Sequence, residues 1–199
     1  MYFHTVWRTT MAAESETYII RGGIEGRERL RLLARVLRPT TLDLFQRVGV
    51  RPGMSCLDVG CGGGDVCADL ARLVGPTGRV VGVDIDGIKV DLARREAAAQ
   101  GISNVEFRVA DVTTADIGEQ FDFVFVRFVL THLRAPAGGL ASIRHAIRPG
   151  GIVTVVDIDF RGHFCHPDNR AFSRYVEWYT ETGIRRGADP NIGPRLPSP

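Results

Sequence analysis

Leu57-Asp58-Val59-Gly60-Cys61-Gly62-Gly63-Gly64-Asp65 stands between a short apolar run, Ser55 to Val59, and a stretch in which Val66, Leu70, Leu73 and Val74 share one helical face. A strand that feeds a glycine turn and then a helix is the opening unit of a parallel sheet with crossover helices. Glycines at 60, 62 and 64 permit the tight turn and let a ligand approach the backbone with no side chain between. A dinucleotide fold of the dehydrogenase kind asks for Gly-x-Gly-x-x-Gly, with the last glycine at position 65. Asp65 stands there instead, and a carboxylate at a helix start would repel a diphosphate. A nicotinamide-dependent oxidoreductase is disfavoured on that ground.

Outward from this loop the pattern repeats. Val80 to Asp84 is a second strand, Asp86 caps a helix running through Ala99 with Gly101 as its stop, and Val105 to Ala110 is a third strand. Phe121 to Arg127 is a fourth. Leu140, Ile143 and Ile147 mark a helix that Pro136 starts and Pro149-Gly150 ends, and Ile152 to Ile158 is a fifth strand. The strands are continuous apolar runs, so they are expected to be covered on both faces. Upstream, Leu30, Leu33, Ala34 and Leu37 predict one helix stopped by Arg38-Pro39. Thr41 caps a second, with Leu44, Phe45 and Val48 as its apolar side and Gly49 as its end. Downstream, Phe172, Tyr175, Val176 and Tyr179 predict a last helix, followed by Gly183, Gly187 and a proline-rich tail. The fold class is α/β, a Rossmann-like doubly wound parallel sheet of about five strands with helices on both faces.

The strand ends carry the chemistry. Asp84 closes the second strand 24 residues after Gly60, close to the interval of about 20 between a glycine loop and a ribose-binding acid. A carboxylate there can accept both ribose hydroxyl hydrogens. Asp86 reads as a helix cap or as a second ribose contact. Asp111 lies just beyond the third strand, where an aspartate alone would be only a turn residue. The glycine segment resembles motif I of the class I S-adenosylmethionine-dependent methyltransferases, an acid followed by x-Gly-x-Gly-x-Gly, and Asp58, Gly60, Gly62 and Gly64 match it position by position. The ordered series from residue 57 to residue 127 is similar to that family's small-molecule members, of the ubiquinone/menaquinone and natural-product type. The resemblance implies that S-adenosylmethionine is the cofactor. Asp58, Gly60, Cys61 and Gly62 would line it, Asp84 would hold the ribose, Ile85 would lie under the adenine, and Asp111 with the Val112 amide would meet the adenine edge. The backbone around Arg127 would meet the methionine amino group. Tyr18-Ile19-Ile20-Arg21-Gly22-Gly23 followed by Glu28-Arg29-Leu30 looks like that family's lid entrance, with Tyr18 and Arg21 closing over the cofactor.

The implied reaction is in-line displacement at the sulfonium methyl by an oxygen, nitrogen or carbon nucleophile of a small-molecule acceptor. A base is needed only when the nucleophile arrives protonated. His132, just past the fourth strand, is the best-placed candidate, or else it packs or caps a carbonyl. His163, Cys165 and His166 lie together after the fifth strand, where acceptor sites of the family form. They read as a loop and not as a metal site, because no fourth ligand accompanies them.

Composition bounds these readings. With 199 residues, 44% of them hydrophobic, the chain can bury one substantial core. Residues 1–15 read as a disordered or mis-assigned start, since Met11 is the more natural beginning. Residues 16–49 read as a helical lid, 50–160 as the cofactor-binding domain, and 161–199 as a terminal helix and tail. A formal charge of +2 argues against nucleic-acid and membrane partners. Lys89 is the only lysine, an arginine bias that points to GC-rich coding. Cys56, Cys61, Cys67 and Cys165 match neither a zinc ribbon nor a secreted disulfide framework, and no signal peptide or spanning segment stands out, so a reduced, cytoplasmic protein is expected. The family sheet ends in an antiparallel hairpin, for which no apolar run remains after Tyr179. The chain therefore reads as shortened at its C-terminus, with an exposed sheet edge that invites homodimerisation or costs activity, leaving a cofactor-binding but inactive homologue as the alternative.

Overall fold

β1 (Ser55–Val59) is the middle strand of the molecule. It lies between β2 (Arg79–Asp84) and β4 (Phe121–Arg127), and β3 (Val105–Val109) and β5 (Ile147–Val156) complete an all-parallel sheet in the order β3-β2-β1-β4-β5. The computed structural model describes residues 23–114 and 117–196, so Tyr18 and Arg21 fall outside the described residues. Leu57 stands opposite Val81 and Val124 in the ladder, and Val59 opposite Val83 and Val126. Because side chains alternate along a strand, these residues build one apolar layer with Ile143 and Ala146. Cys56, Val80, Phe123 and Phe125 build the other.

The second layer is roofed by α1 (Gly23–Arg47), α2 (Asp65–Val74) and α3 (Gly87–Ala99), and the first by α4 (Pro136–His145). α2 offers Val66, Leu70 and Val74 on one buried face, as their spacing predicts, and Gly75 ends it. Asp86 caps α3, its carboxylate accepting from the Ile88 and Lys89 amides at 2.9 and 3.3 Å. Fully buried Phe45 of α1 meets Phe123 and Phe125 edge-on, with ring centroids 5.5 and 5.0 Å away.

The structure corrects four local expectations. α1 is one helix of 25 residues and not two, with Pro39 inside it. Proline removes one helical hydrogen bond. The helix continues through it, with Phe45 anchoring the far end in the core, and the Thr40 and Thr41 hydroxyls donate to the Leu37 carbonyl at 2.9 and 2.8 Å. Thr41 is therefore an interior residue and not a cap. Ile147 belongs to β5 and not to α4: it pairs with Phe121, and the ladder slips between Phe121 and Phe123, so Pro149-Gly150 marks an irregularity within the strand. β5 correspondingly ends at Val156, before Ile158.

α5 (Arg170–Arg185), capped by Asn169, continues through Gly183, which is buried in the helix. Coverage on both faces holds for β1, β2 and β4 but not for the edge strands, where Val109 of β3 and Ile152 and Val153 of β5 are exposed. β5 is the outermost strand, and among the described residues no strand follows it.

Candidate functional site

The carboxyl ends of the five parallel strands open into a cleft of about 2250 Å³, the position at which open α/β sheets bind ligands. The strand order reverses at β1, so the loops after β1 and β4 part there. Asp58, Gly60, Cys61, Gly62, Asp84, Ile85, Asp111, Val112, Arg127 and His132 all line this cleft.

The glycine loop is held in shape from below. The amides of Gly60 and Cys61 both donate to the Val83 carbonyl, at 2.8 and 2.9 Å. Gly64 sits at the start of α2 with φ +81°, in the left-handed region that favours glycine. A side chain on Gly63 would put its Cβ 2.5 Å from the Arg27 guanidinium carbon, so this glycine makes room for an arginine as well as for a ligand. Arg27 is buried and bonds Asp65 at 2.6 and 3.0 Å, and it also pairs with Glu96 of α3. Asp65 is thus the anchor that fixes α1 over the loop.

Asp84 is buried at the cleft floor. Its Oδ2 accepts from the Gly62 amide at 2.9 Å and its Oδ1 from the Asp86 amide at 2.9 Å, so each oxygen keeps a lone pair for a ligand hydroxyl. Ile85, the next residue, is 51% exposed, an apolar side chain left uncovered inside the cleft. Asp111 Oδ1 accepts from the Thr113 amide and hydroxyl at 2.9 and 2.7 Å, a turn that holds the carboxylate at the rim.

Asp58 lies one layer lower, where the Cys67 thiol donates to it at 3.2 Å. Burial pushes its carboxyl up to about 7, opposed by the Cys67 bond and by the Arg127 charge. Arg127 points its guanidinium toward α1, donating to the Thr41 hydroxyl at 2.9 Å, and burial lowers its affinity for the proton. After β4, Phe128 adopts φ +56°, an unusual conformation for a bulky residue, and turns the chain so that Val129 fills the space a side chain on Gly60 would need. His132 lies beyond it. Burial, with Lys89 and Arg29 nearby, pushes its imidazole down to about 4.

The other half of the cleft lies beyond β5, where the sequence pointed to His163 but singled out neither Asp157 nor Phe160. Asp157, just past β5, accepts from the Ile158 and Thr131 amides at 2.8 and 3.2 Å, and burial raises its carboxyl. An acid directly after a strand is the signal that marked Asp84 and Asp111, and it was present here too. Phe160 stacks on Tyr179 at 4.0 Å with Tyr175 edge-on at 5.7 Å, and all three line the cleft. His163 Nδ1 lies 3.0 Å from the Phe160 carbonyl, and the Cys165 thiol faces the Pro167 carbonyl at 3.7 Å. All four cysteines are free thiols.

Residues 51–181 match a methyltransferase domain family. The chain is 33% identical over 145 residues to 2-phytyl-1,4-naphtoquinone methyltransferase of Trichormus variabilis, covering 71% of this chain and 60% of that protein. It is 32% identical over 134 residues to the ubiquinone/menaquinone biosynthesis C-methyltransferase of Pseudomonas fluorescens, covering 66% and 50%. It therefore spans about half to three-fifths of the length of these relatives. Among solved structures, coclaurine N-methyltransferase bound to N-methylheliamine and SAH superposes with a TM-score of 0.55 at 27% identity, covering 58% of this chain and 34% of that one. The Asp84 carboxylate keeps one lone pair on each oxygen beside the glycine loop, free to accept from a ligand. The strand order, the glycine loop and the matching family together make this chain a member of the class I S-adenosylmethionine-dependent methyltransferases.

Proposed function

We propose that the protein transfers a methyl group from S-adenosylmethionine to a small-molecule acceptor held in the Phe160 half of the cleft. The observation that carries this reading is the doubly anchored Asp84 carboxylate at the cleft floor. Asp84 takes the ribose hydroxyls, Ile85 lies under the adenine, and Asp111 with the Val112 amide meets the adenine edge. The loop Gly60-Cys61-Gly62 and the backbone at Arg127 bracket the methionine part. The bound cofactor supplies a methyl group on a sulfonium that is already electrophilic, so holding the acceptor in line provides much of the acceleration.

Phe160, Tyr175 and Tyr179 give the acceptor half an aromatic wall, suited to a flat or ring-bearing molecule. His132 is neutral at physiological pH, and its lowered basicity suits it to orienting an acceptor hydroxyl or amine more than to retaining its proton. No helix among the described residues is long and apolar enough to cross a membrane. A cytoplasmic location accords with four free thiols.

Titration calorimetry with S-adenosylmethionine and S-adenosylhomocysteine tests the reading. Saturable binding is expected, and Asp84→Ala should weaken it by about 100-fold or more, since two hydrogen bonds to a charged group are lost. A folded chain that binds neither ligand overturns the proposal. Binding without methyl transfer across a panel of phenols, quinols and amines would leave a cofactor-binding protein without turnover.

A further inference from the structure

Outside the cleft, α1, α2 and α3 border a groove of about 440 Å³. Arg27, Arg31, Arg35 and Arg38 recur at intervals of three and four residues along α1, which places them on one face of the helix. That face lines the groove, with Arg72 of α2 and Arg127 at the end of β4. The acids of the lining are Asp65, Asp69 and Glu96, so six guanidinium groups face three carboxylates.

Those carboxylates are already engaged. Arg27 holds Asp65 and Glu96, and Arg31 meets Glu96 at 2.9 Å. Arg38 grips Asp69 through Nε at 2.9 Å and Nη2 at 3.0 Å, and Arg72 reaches the same acid at 3.4 Å. Arg35 and Arg127 make no ion pair among the described residues. Arg127 is half-buried, its guanidinium donating to the Thr41 hydroxyl at 2.9 Å, and a buried charge without a counter-charge is costly. The groove therefore carries a surplus of three positive charges. Arg31, Arg38 and Arg72 are each about half exposed, and Arg38 spends only Nε and Nη2 on Asp69, so donors remain for a ligand. Guanidinium forks match phosphate oxygens in geometry and charge. One phosphate monoester carries about 1.5 to 2 negative charges at neutral pH, so the surplus calls for two linked phosphates. A nucleic acid would ask for an extended basic stripe, and this is a small concavity on a chain of formal charge +2.

We propose that this groove binds a small molecule bearing a diphosphate group, gripped by the unpaired Arg35 and Arg127 with further donors from Arg31, Arg38 and Arg72. The site is separate from the methyl-transfer cleft. Its ligand ties α1 to α2 and to the end of β4, and so holds the roof of the cleft against the sheet.

The test titrates inorganic phosphate, pyrophosphate and ADP calorimetrically into the wild-type chain, Arg35→Glu and Arg72→Ala, without divalent cations and with circular dichroism to verify folding. Each titration is repeated with S-adenosylhomocysteine in excess. Pyrophosphate should bind saturably and about 10-fold or more tighter than phosphate. Arg35→Glu should weaken it by about 10-fold or more and Arg72→Ala by about 3- to 10-fold, with S-adenosylhomocysteine affinity within about twofold in both. ADP equal to pyrophosphate supports a site that reads the diphosphate alone, and tighter ADP supports one that also touches the nucleoside. No saturable pyrophosphate binding by the folded wild-type chain overturns the proposal. Binding that both variants leave unchanged also overturns it, as does competition by S-adenosylhomocysteine, which would put the anion in the cleft. A single-stranded oligonucleotide that binds more tightly than ADP and is lost in Arg35→Glu overturns it in favour of a nucleic-acid surface.

Discussion

Asp58 shows how one residue of a binding motif is set by its burial. It is almost fully enclosed, bonded by the Cys67 thiol, and its carboxyl is pushed up to about 7. A raised folded-state pKa means the folded chain holds the proton more tightly than the unfolded one. Its contribution to stability is therefore full below about pH 4 and is lost as the pH rises through about 7. Glu96, lowered by its Arg27 bond, acts in the opposite sense, and its contribution is lost as the pH falls below the usual carboxylate range. Asp58→Asn keeps the shape without the titration. Melting temperatures of the ligand-free variant should vary less between pH 4 and 7 than those of the wild type, with the acid limb below pH 4 retained. An unchanged slope between pH 4 and 7 would reject the assignment.

At the scale of elements, α1 determines whether the cleft has a roof. Its buried contacts include Phe45 in the core at one end and Arg27 between Asp65 and Glu96 at the other, with Arg31–Glu96, Arg38–Asp69 and Thr41–Arg127 contacts along it. The Arg27 side chain is 6% exposed, so deleting it leaves partly buried Asp65 without its partner and Glu96 with Arg31 alone. Breaking such a pair costs about 3 kcal/mol or somewhat more, and for a chain of this size each kcal/mol lowers Tm by about 2–4 °C. Arg27→Ala should thus lower Tm by roughly 6–12 °C and weaken S-adenosylhomocysteine binding. Gly63→Ala should act through the same residue, because the new methyl takes the space of the guanidinium. The double variant should be less destabilised than the sum of the two single variants. Strict additivity in thermal denaturation would show that Gly63 serves the ligand alone.

The whole molecule has two sheet edges of different character. β3 carries Glu106 and Arg108, paired with each other at 2.6 Å and facing Glu119, and charges of this kind discourage strand addition. β5 carries exposed Ile152 and Val153. The expected homodimer would pair two β5 edges about a twofold axis, an arrangement that also removes this apolar surface from water. Sedimentation velocity across a concentration series should reveal a dimer, and Ile152→Lys should return it to monomer with little change in cofactor affinity. A wild-type chain that stays monomeric at high concentration would refute the edge pairing.

The sequence by itself determined the sheet and the floor of the site. Gly60, Gly62, Gly64, Asp84 and Asp111 are local signals, each a turn residue or an acid at the end of an apolar run, and the strand immediately before each of them positions it. The Asp86 cap was legible for the same reason, since its bonds reach only two and three residues along the chain. The tertiary structure alone decided the roof and the charge of the cleft. Arg27 meets Asp65 and Glu96 across 38 and 69 residues, and Thr41 meets Arg127 across 86. Pro39 predicts a break by its local chemistry, but the helix runs on to seat Phe45 in the core. Short-range order is encoded in residue type and spacing. Which helix lies over which loop depends on the packing of distant apolar faces, which no local spacing records.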